Sequence, residues 1–157
     1  IKDGLAMVKQ EARIGDWRIL LSTMDIKTIG AGGGSIGWLD VANALHVGPQ
    51  SAGANPGPIC YSLGGTEPTI TDAALANGFI DASYFLGGEM KLGTEQAKAG
   101  IESKIARPLN MDIATAADGI LRIGISNMAE AVRQVSIHRK FLLHKSQLSC
   151  ANLLASV

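Results

Sequence analysis

Three observations predict an α/β fold for this 157-residue chain. The first 29 residues hold short apolar runs between turn signals. Residues 30–93 alternate such runs with glycine and proline, and residues 94–137 repeat apolar side chains at helical spacing. The length fits one domain's worth of soluble protein with a single core.

In the first zone, strands are expected over Leu5–Val8, Arg18–Leu21 and Met24–Ile29, with Gly4 and Gly15-Asp16 marking turns. The chain opens at Ile1 in the middle of this pattern, which leads us to expect a piece of a longer protein. In the second zone, Ser35–Asp40 and Ala44–Val47 are placed to pair as a hairpin across Val41–Asn43. The loops SAGANPGP and SLGGTEP follow, and then a short helix that Thr71 or Asp72 can cap and Gly78 can end. In the third zone, Thr94 is expected to cap a helix that runs to Arg107 and stops at Pro108, with Ala97, Ile101 and Ile105 on one face. Asp112 is expected to cap a second helix, whose stripe of Ile113, Ala117, Ile120, Gly124, Met128, Ala131 and Val135 suits packing on a sheet.

Composition excludes several function classes. Fourteen basic residues balance 14 acidic ones, and aromatics make up 4% of the chain, which gives no electrostatic case for nucleic acid or anionic lipid. No window approaches 18 consecutive apolar residues and no secretory signal layout is present, so a soluble, cytoplasmic protein is expected. Cys60 and Cys150 are too few for a disulfide scaffold and lack zinc-site spacing. Glycine is the outlier, with 19 residues where a typical chain of this length has roughly 7%. Fifteen of the 19 fall between Gly30 and Gly100, and four of the five prolines fall between Pro49 and Pro68. So much fixed loop in a compact domain points to loops that carry function.

The sharpest motif is Asp25-Ile26-Lys27-Thr28-Ile29-Gly30-Ala31-Gly32-Gly33-Gly34-Ser35, a strand running into successive glycines. Without side chains in the way, consecutive backbone N–H groups can converge on phosphate oxygens. A strand-end carboxylate such as Asp25 can then hold a metal ion or position a water. The same residues also suit a tight turn between two strands with Asp25 in solvent. The second motif, VGPQSAGANPGP, is a stiff loop that holds Gln50, Ser51 and Asn55 at low entropic cost, either as ligand contacts or as a connector under the sheet. The third, GGTEPTITD, opens a helix at Thr71 and Asp72, which serve either as plain caps or as the rim of an anion site.

Taken in order, DIKTIGAGGGSIGWLD, VGPQSAGANPGPICYSLGGTEPTITDAAL and FLGGEMKL resemble the hydantoinase A/oxoprolinase family, which includes the ATP-consuming subunits of acetone and acetophenone carboxylases. The resemblance implies a partial ribonuclease-H-like half of an actin- or sugar-kinase-like ATPase. It also implies ATP and Mg²⁺ as cofactors, a small cyclic amide or ketone as substrate, and a hydantoinase B-like second subunit as partner. On that basis Gly32, Gly33, Gly34 and Ser35 are expected to contact phosphate or substrate. Asp25 becomes the candidate for metal, water or base, and Ser51, Gly53, Thr71 and Asp72 become further lining residues. The family's Asp-x-Gly-Gly-Thr loop upstream and its glycine-rich nucleotide loop downstream do not occur in these residues, and the pattern is lost from about Lys140. Residues 1–137 are therefore expected to be an incomplete domain of this kind, and residues 138–157 a divergent tail.

Overall fold

The computed structural model describes residues 8–14, 16–24 and 30–138. The first zone forms two small antiparallel pairs. Val8–Lys9 (β1) pairs with Thr23–Met24 (β4), and inside them Ala12–Ile14 (β2) pairs with Trp17–Ile19 (β3). Ile14 faces Trp17 in the register, and Asp16 lies in a turn before Trp17, as the sequence suggests; Gly15 lies outside the described residues. Of the expected strand over Arg18–Leu21, Arg18 and Ile19 lie in β3, while Leu20 and Leu21 follow it outside any strand. The rest of the first and third expected strands, including Asp25–Ile29, lies outside the described residues. Trp17, Leu20, Leu21 and Met24 are exposed on these ribbons.

Ser35–Leu39 (β5) and Leu45–Ser51 (β6) form the expected hairpin, with Leu39 opposite Leu45 and Trp38 opposite His46. Asp40 closes its turn, since the carboxylate accepts from the N–H groups of Ala42 and Ala44 and from His46 Nε2 at 2.9 Å. Hydrogen bonds from this turn hold the Asp40 carboxyl below the usual range, the His46 contact foremost. The ladder is irregular between Ser35 and Gly37, where β6 carries extra residues at Gly48 and Pro49. Trp38 Nε1 spans that bulge and donates to the Gly48 carbonyl at 2.9 Å.

Ile70–Ala76 (α1) begins two or three residues earlier than a cap at Thr71 or Asp72 would place it. Thr69, in extended geometry, is the N-cap, and Asp72 is its N3 partner in a capping box. Gly78 follows the end of the helix with φ 76°, as expected. Thr94–Ile101 (α2) has Gly93 rather than Thr94 at its N-cap. It continues as a wider π turn over Glu102–Ala106, and Arg107, immediately before Pro108, is the cap that ends it. Ile113–His138 (α3) starts as expected, with Asp112 accepting the Thr115 N–H at 2.9 Å.

The core lies where α3 crosses α1, the π turn and the hairpin. Ala116, Ala117, Ile120, Leu121 and Met128 of α3 pack on Val47, Ile70, Ala73, Ala74, Ile101 and Ile105. Gly37 is the contact point on β5, because a Cβ there would stand 3.1 Å from Ile120 Cγ1. The stripe read from the sequence thus meets a sheet on one side and helices on the other. No helix among the described residues is long and apolar enough to cross a membrane.

Asp72 is fully buried. Its carboxylate accepts hydrogen bonds from Cys60 N (2.7 Å), Ile59 N (3.2 Å), Thr69 N (2.9 Å) and Thr69 Oγ1 (2.8 Å). Replacing one acceptor oxygen by an amide NH₂ turns a donor toward donors. Asp72→Asn is therefore expected to destabilise the chain by about 3 kcal/mol in urea-induced unfolding.

Candidate functional site

A cavity of about 620 Å³ opens at the end of the hairpin where β5 begins and β6 finishes. One wall is the glycine loop, Gly30–Ser35, together with Pro49, Ser51, Gly53 and Ala54; the other is Pro58, Tyr61, Leu63, Phe85, Leu86 and Met90.

The glycine loop is held by its carbonyls. Gly32 O accepts from Ser35 N at 3.0 Å, Gly33 O from Thr71 N at 2.9 Å and Gly34 O from Ala52 N at 2.9 Å. Ser35 Oγ accepts the Gly32 N–H at 3.0 Å. With the carbonyls engaged on one side, the N–H groups of Gly33 and Gly34 meet no acceptor among the described residues. Two successive free N–H groups beside serine hydroxyls make a cradle for an oxyanion or a polarised carbonyl. Ser51 Oγ accepts from Gly53 N at 3.1 Å within the second loop, and the bond from Ala52 N to Gly34 O holds that loop against the first. The approach is close, because a Cβ on Gly34 would stand 3.0 Å from Ser51 Oγ, which would have to give by a few tenths of an ångström.

Six of the expected residues, Gly32, Gly33, Gly34, Ser35, Ser51 and Gly53, therefore meet in one cavity. Thr71 and Asp72 are not among its lining residues; they stand behind it. Thr71 acts through its backbone N–H on Gly33, and the Asp72 carboxylate is taken up by the donors of residues 59, 60 and 69. Asp25 lies outside the described residues. Among the described residues no group of three or more His, Cys, Asp or Glu side chains could hold a metal ion.

The apolar wall has no counterpart in the residues singled out from the sequence. Most of its members belong to the second and third stretches of the family resemblance, in ICYSLGG and FLGGEM, where none was singled out as a site residue. The wall is tied to the core by backbone bonds from Gly93 N to Cys60 O (2.8 Å) and from Leu92 N to Ala82 O (2.9 Å), and by a bridge between Phe85 and Met90. The Tyr61 and Phe85 rings meet at a centroid distance of 5.6 Å. The Tyr61 hydroxyl is shielded and has no partner among the described residues, and burial first of all raises its pKa, so it stays a donor. Behind it the Cys60 thiol is pushed far above the ordinary thiol range, first by burial and then by the Asp72 carboxylate.

Comparison with known proteins places these features in a family. The sequence profile described as hydantoinase/oxoprolinase matches residues 1–152. Caprolactamase subunit alpha of Pseudomonas jessenii is 47% identical over 125 residues, covering 80% of this chain and 18% of that subunit. The crystal structure of ATP-dependent caprolactamase from Pseudomonas jessenii matches with a TM-score of 0.69 at 45% identity, over 82% of this chain and 19% of that one. Nucleotide-free acetone carboxylase, solved in work on ATP-dependent acetone carboxylation, matches with a TM-score of 0.75 at 27% identity, over 87% of this chain and 19% of that one. The chain thus spans under a fifth of the length of these relatives.

Two outcomes follow from the wall. In the folded chain at pH 8, iodoacetamide is expected to leave Cys60 unmodified in peptide mass analysis, and the same treatment in urea is expected to label it, because the buried thiol stays protonated. Tyr61→Phe removes an unsatisfied hydroxyl and is expected to stabilise the unliganded chain by about 1 kcal/mol, read as a raised urea midpoint.

Proposed function

The chain belongs to the hydantoinase/oxoprolinase family, and from that premise we propose that it is part of an ATP-dependent enzyme that opens a cyclic amide after phosphorylating its carbonyl oxygen. Phosphorylation makes the carbonyl carbon more electrophilic, so that water can add to it; the C–N bond then breaks as the ring nitrogen takes a proton, and hydrolysis of the resulting acyl phosphate leaves the carboxylate and phosphate. Such a step rests on positioning and charge stabilisation. The observation that carries the reading is the pair of N–H groups on Gly33 and Gly34 that meet no acceptor among the described residues, set beside the hydroxyls of Ser35 and Ser51 at one end of the cavity. They can meet the phosphoryl or carbonyl oxygen as charge builds on it.

Asp25, five residues before Gly30, remains the candidate to hold Mg²⁺ or to position water. The likeness to two ATP-dependent enzymes supports a ribonuclease-H-like, actin-related half as the surrounding fold. The name of the subunit alpha relative supports a second, hydantoinase B-like subunit as partner. The two unclustered cysteines support a reducing, cytoplasmic setting. Similarity to acetone carboxylase favours a second reading, in which the activated carbonyl belongs to a ketone that is then carboxylated.

Calorimetric titration of the chain with ATP tests the shared part of both readings. Mg²⁺-dependent binding on the order of micromolar is expected. It should be lost in Asp25→Ala and weakened about tenfold in Gly34→Val, whose side chain would crowd Ser51 Oγ. No ATP binding by the folded chain would make it a non-catalytic remnant or binding module of the family.

A further inference from the structure

Leu86 breaks a local rule in the wall of the cavity. Among the described residues other than glycine, Asn43, Ser62, Leu86 and Asn110 have φ in the left-handed region. Asparagine tolerates that conformation through its short polar side chain and serine is small, but a bulky leucine there is strained. Leu86 (φ 50°) opens a run of three left-handed residues with Gly87 (φ 69°) and Gly88 (φ 92°). Space does not explain the two glycines, since a Cβ on Gly87 would meet nothing within 4 Å and one on Gly88 only the Tyr84 ring, from 3.8 Å. They serve the backbone of a loop that is closed by Gly88 N and Met90 N on Phe85 O, and position 86 asks for the same freedom. Core packing does not explain the leucine either. Phe85 and Met90 pack on the buried cluster of Cys60, Leu75, Leu92 and Ala97, whereas Leu86 keeps 52% of its surface exposed and lines the cavity.

Resting on the carbonyl-activation reading, we propose that Leu86 is a ligand-contacting residue, held in a strained conformation because its side chain closes over the carbon skeleton of an oxygen-linked phosphoryl group seated on Gly33 and Gly34. A strained backbone persists only where the surrounding structure holds it, and such positions gather at ligand clamps. Here the bridge between Phe85 and Met90 supplies the hold, and the cavity supplies the use. The occupant that fits is a phosphate ester, with its phosphoryl oxygens at the two N–H groups and its carbon skeleton against Leu86; a carbonyl compound phosphorylated on oxygen is of this class. About half of the leucine's surface is left to cover, so the contact strengthens binding of the ester without touching its phosphoryl group. Leu86 thereby distinguishes an esterified phosphoryl group from free phosphate.

Stability and binding are expected to respond separately. Asparagine accepts the left-handed conformation, so Leu86→Asn is expected to leave the urea midpoint of the whole chain unchanged or raised. Leu63→Asn is the comparison: Leu63 stands on the same wall at 54% exposure without a positive φ, and its loss is expected to lower the midpoint. Calorimetric titration with inorganic phosphate and with phenyl phosphate reads the contact itself. The two are expected to compete for the unsubstituted chain, with phenyl phosphate at least about tenfold tighter. Leu86→Asn is expected to weaken phenyl phosphate by about fivefold and to leave inorganic phosphate within about twofold. A lowered midpoint in Leu86→Asn, equal affinities in the unsubstituted chain, absence of competition, or an ester preference unmoved by Leu86→Asn each overturns the proposal. Inorganic phosphate that binds with no preference for the ester removes the Leu86 contact and leaves the glycine cradle standing, whereas failure of both ligands to bind overturns the contact and the cradle together.

Discussion

Four donors converge on the carboxylate of Asp72 in a place that water does not reach, and they come from two separate stretches of chain. Ile59 and Cys60 belong to the turn that carries Tyr61 into the apolar wall, and Thr69 is the cap of α1. A buried anion is tolerable only when its lone pairs are filled, so the carboxylate fixes the turn and the helix start relative to each other. The next step outward is Thr71, whose N–H holds Gly33 O. Through these contacts both walls of the cavity are referred to the first turn of one seven-residue helix. The same burial that makes Asp72 structural raises the Cys60 thiol and takes it out of nucleophilic chemistry.

Much of the fold was legible because it depends on local rules. The β5–β6 hairpin follows from alternating residues across a short polar turn, and α3 follows from an Asp cap and a long helical stripe. The boundaries of α1 and α2 were less so. At α1 the spacing Thr69-x-x-Asp72 is a capping box in plain sight, but Thr71 and Asp72 sit nearer the alanine run and compete for the same role on local grounds. Burial decides between them, and burial is a tertiary property. The glycine face of the site was readable for the opposite reason: glycine in series has few uses, and anion contact is one of them. The apolar wall was hidden because tyrosine, leucine, phenylalanine and methionine in a loop look the same whether they fill a core or line a cavity.

The glycine enrichment now has two physical meanings. In Gly33 and Gly34 it exposes N–H groups on one side while the carbonyls are anchored on the other. At Gly65 it allows contact with the backbone of Gly57 and Pro58 that a methyl group would prevent, and at Gly37 it eases the close approach of Ile120 of α3. The first use shapes the cavity wall and the second concerns assembly. A substitution at Gly65 would therefore disturb the site by moving a loop, although Gly65 does not line the cavity.

The indole of Trp38 lies on the outer side of this arrangement, stacked on the His46 ring at 4.8 Å and tethered through Nε1 to the Gly48 carbonyl. The residue after that carbonyl is Pro49, which lines the cavity. Any displacement of the proline loop must pull on the tether and change what the indole sees. The hairpin thus carries its own optical gauge, a fluorophore fastened to the back of the loop whose front lines the cavity.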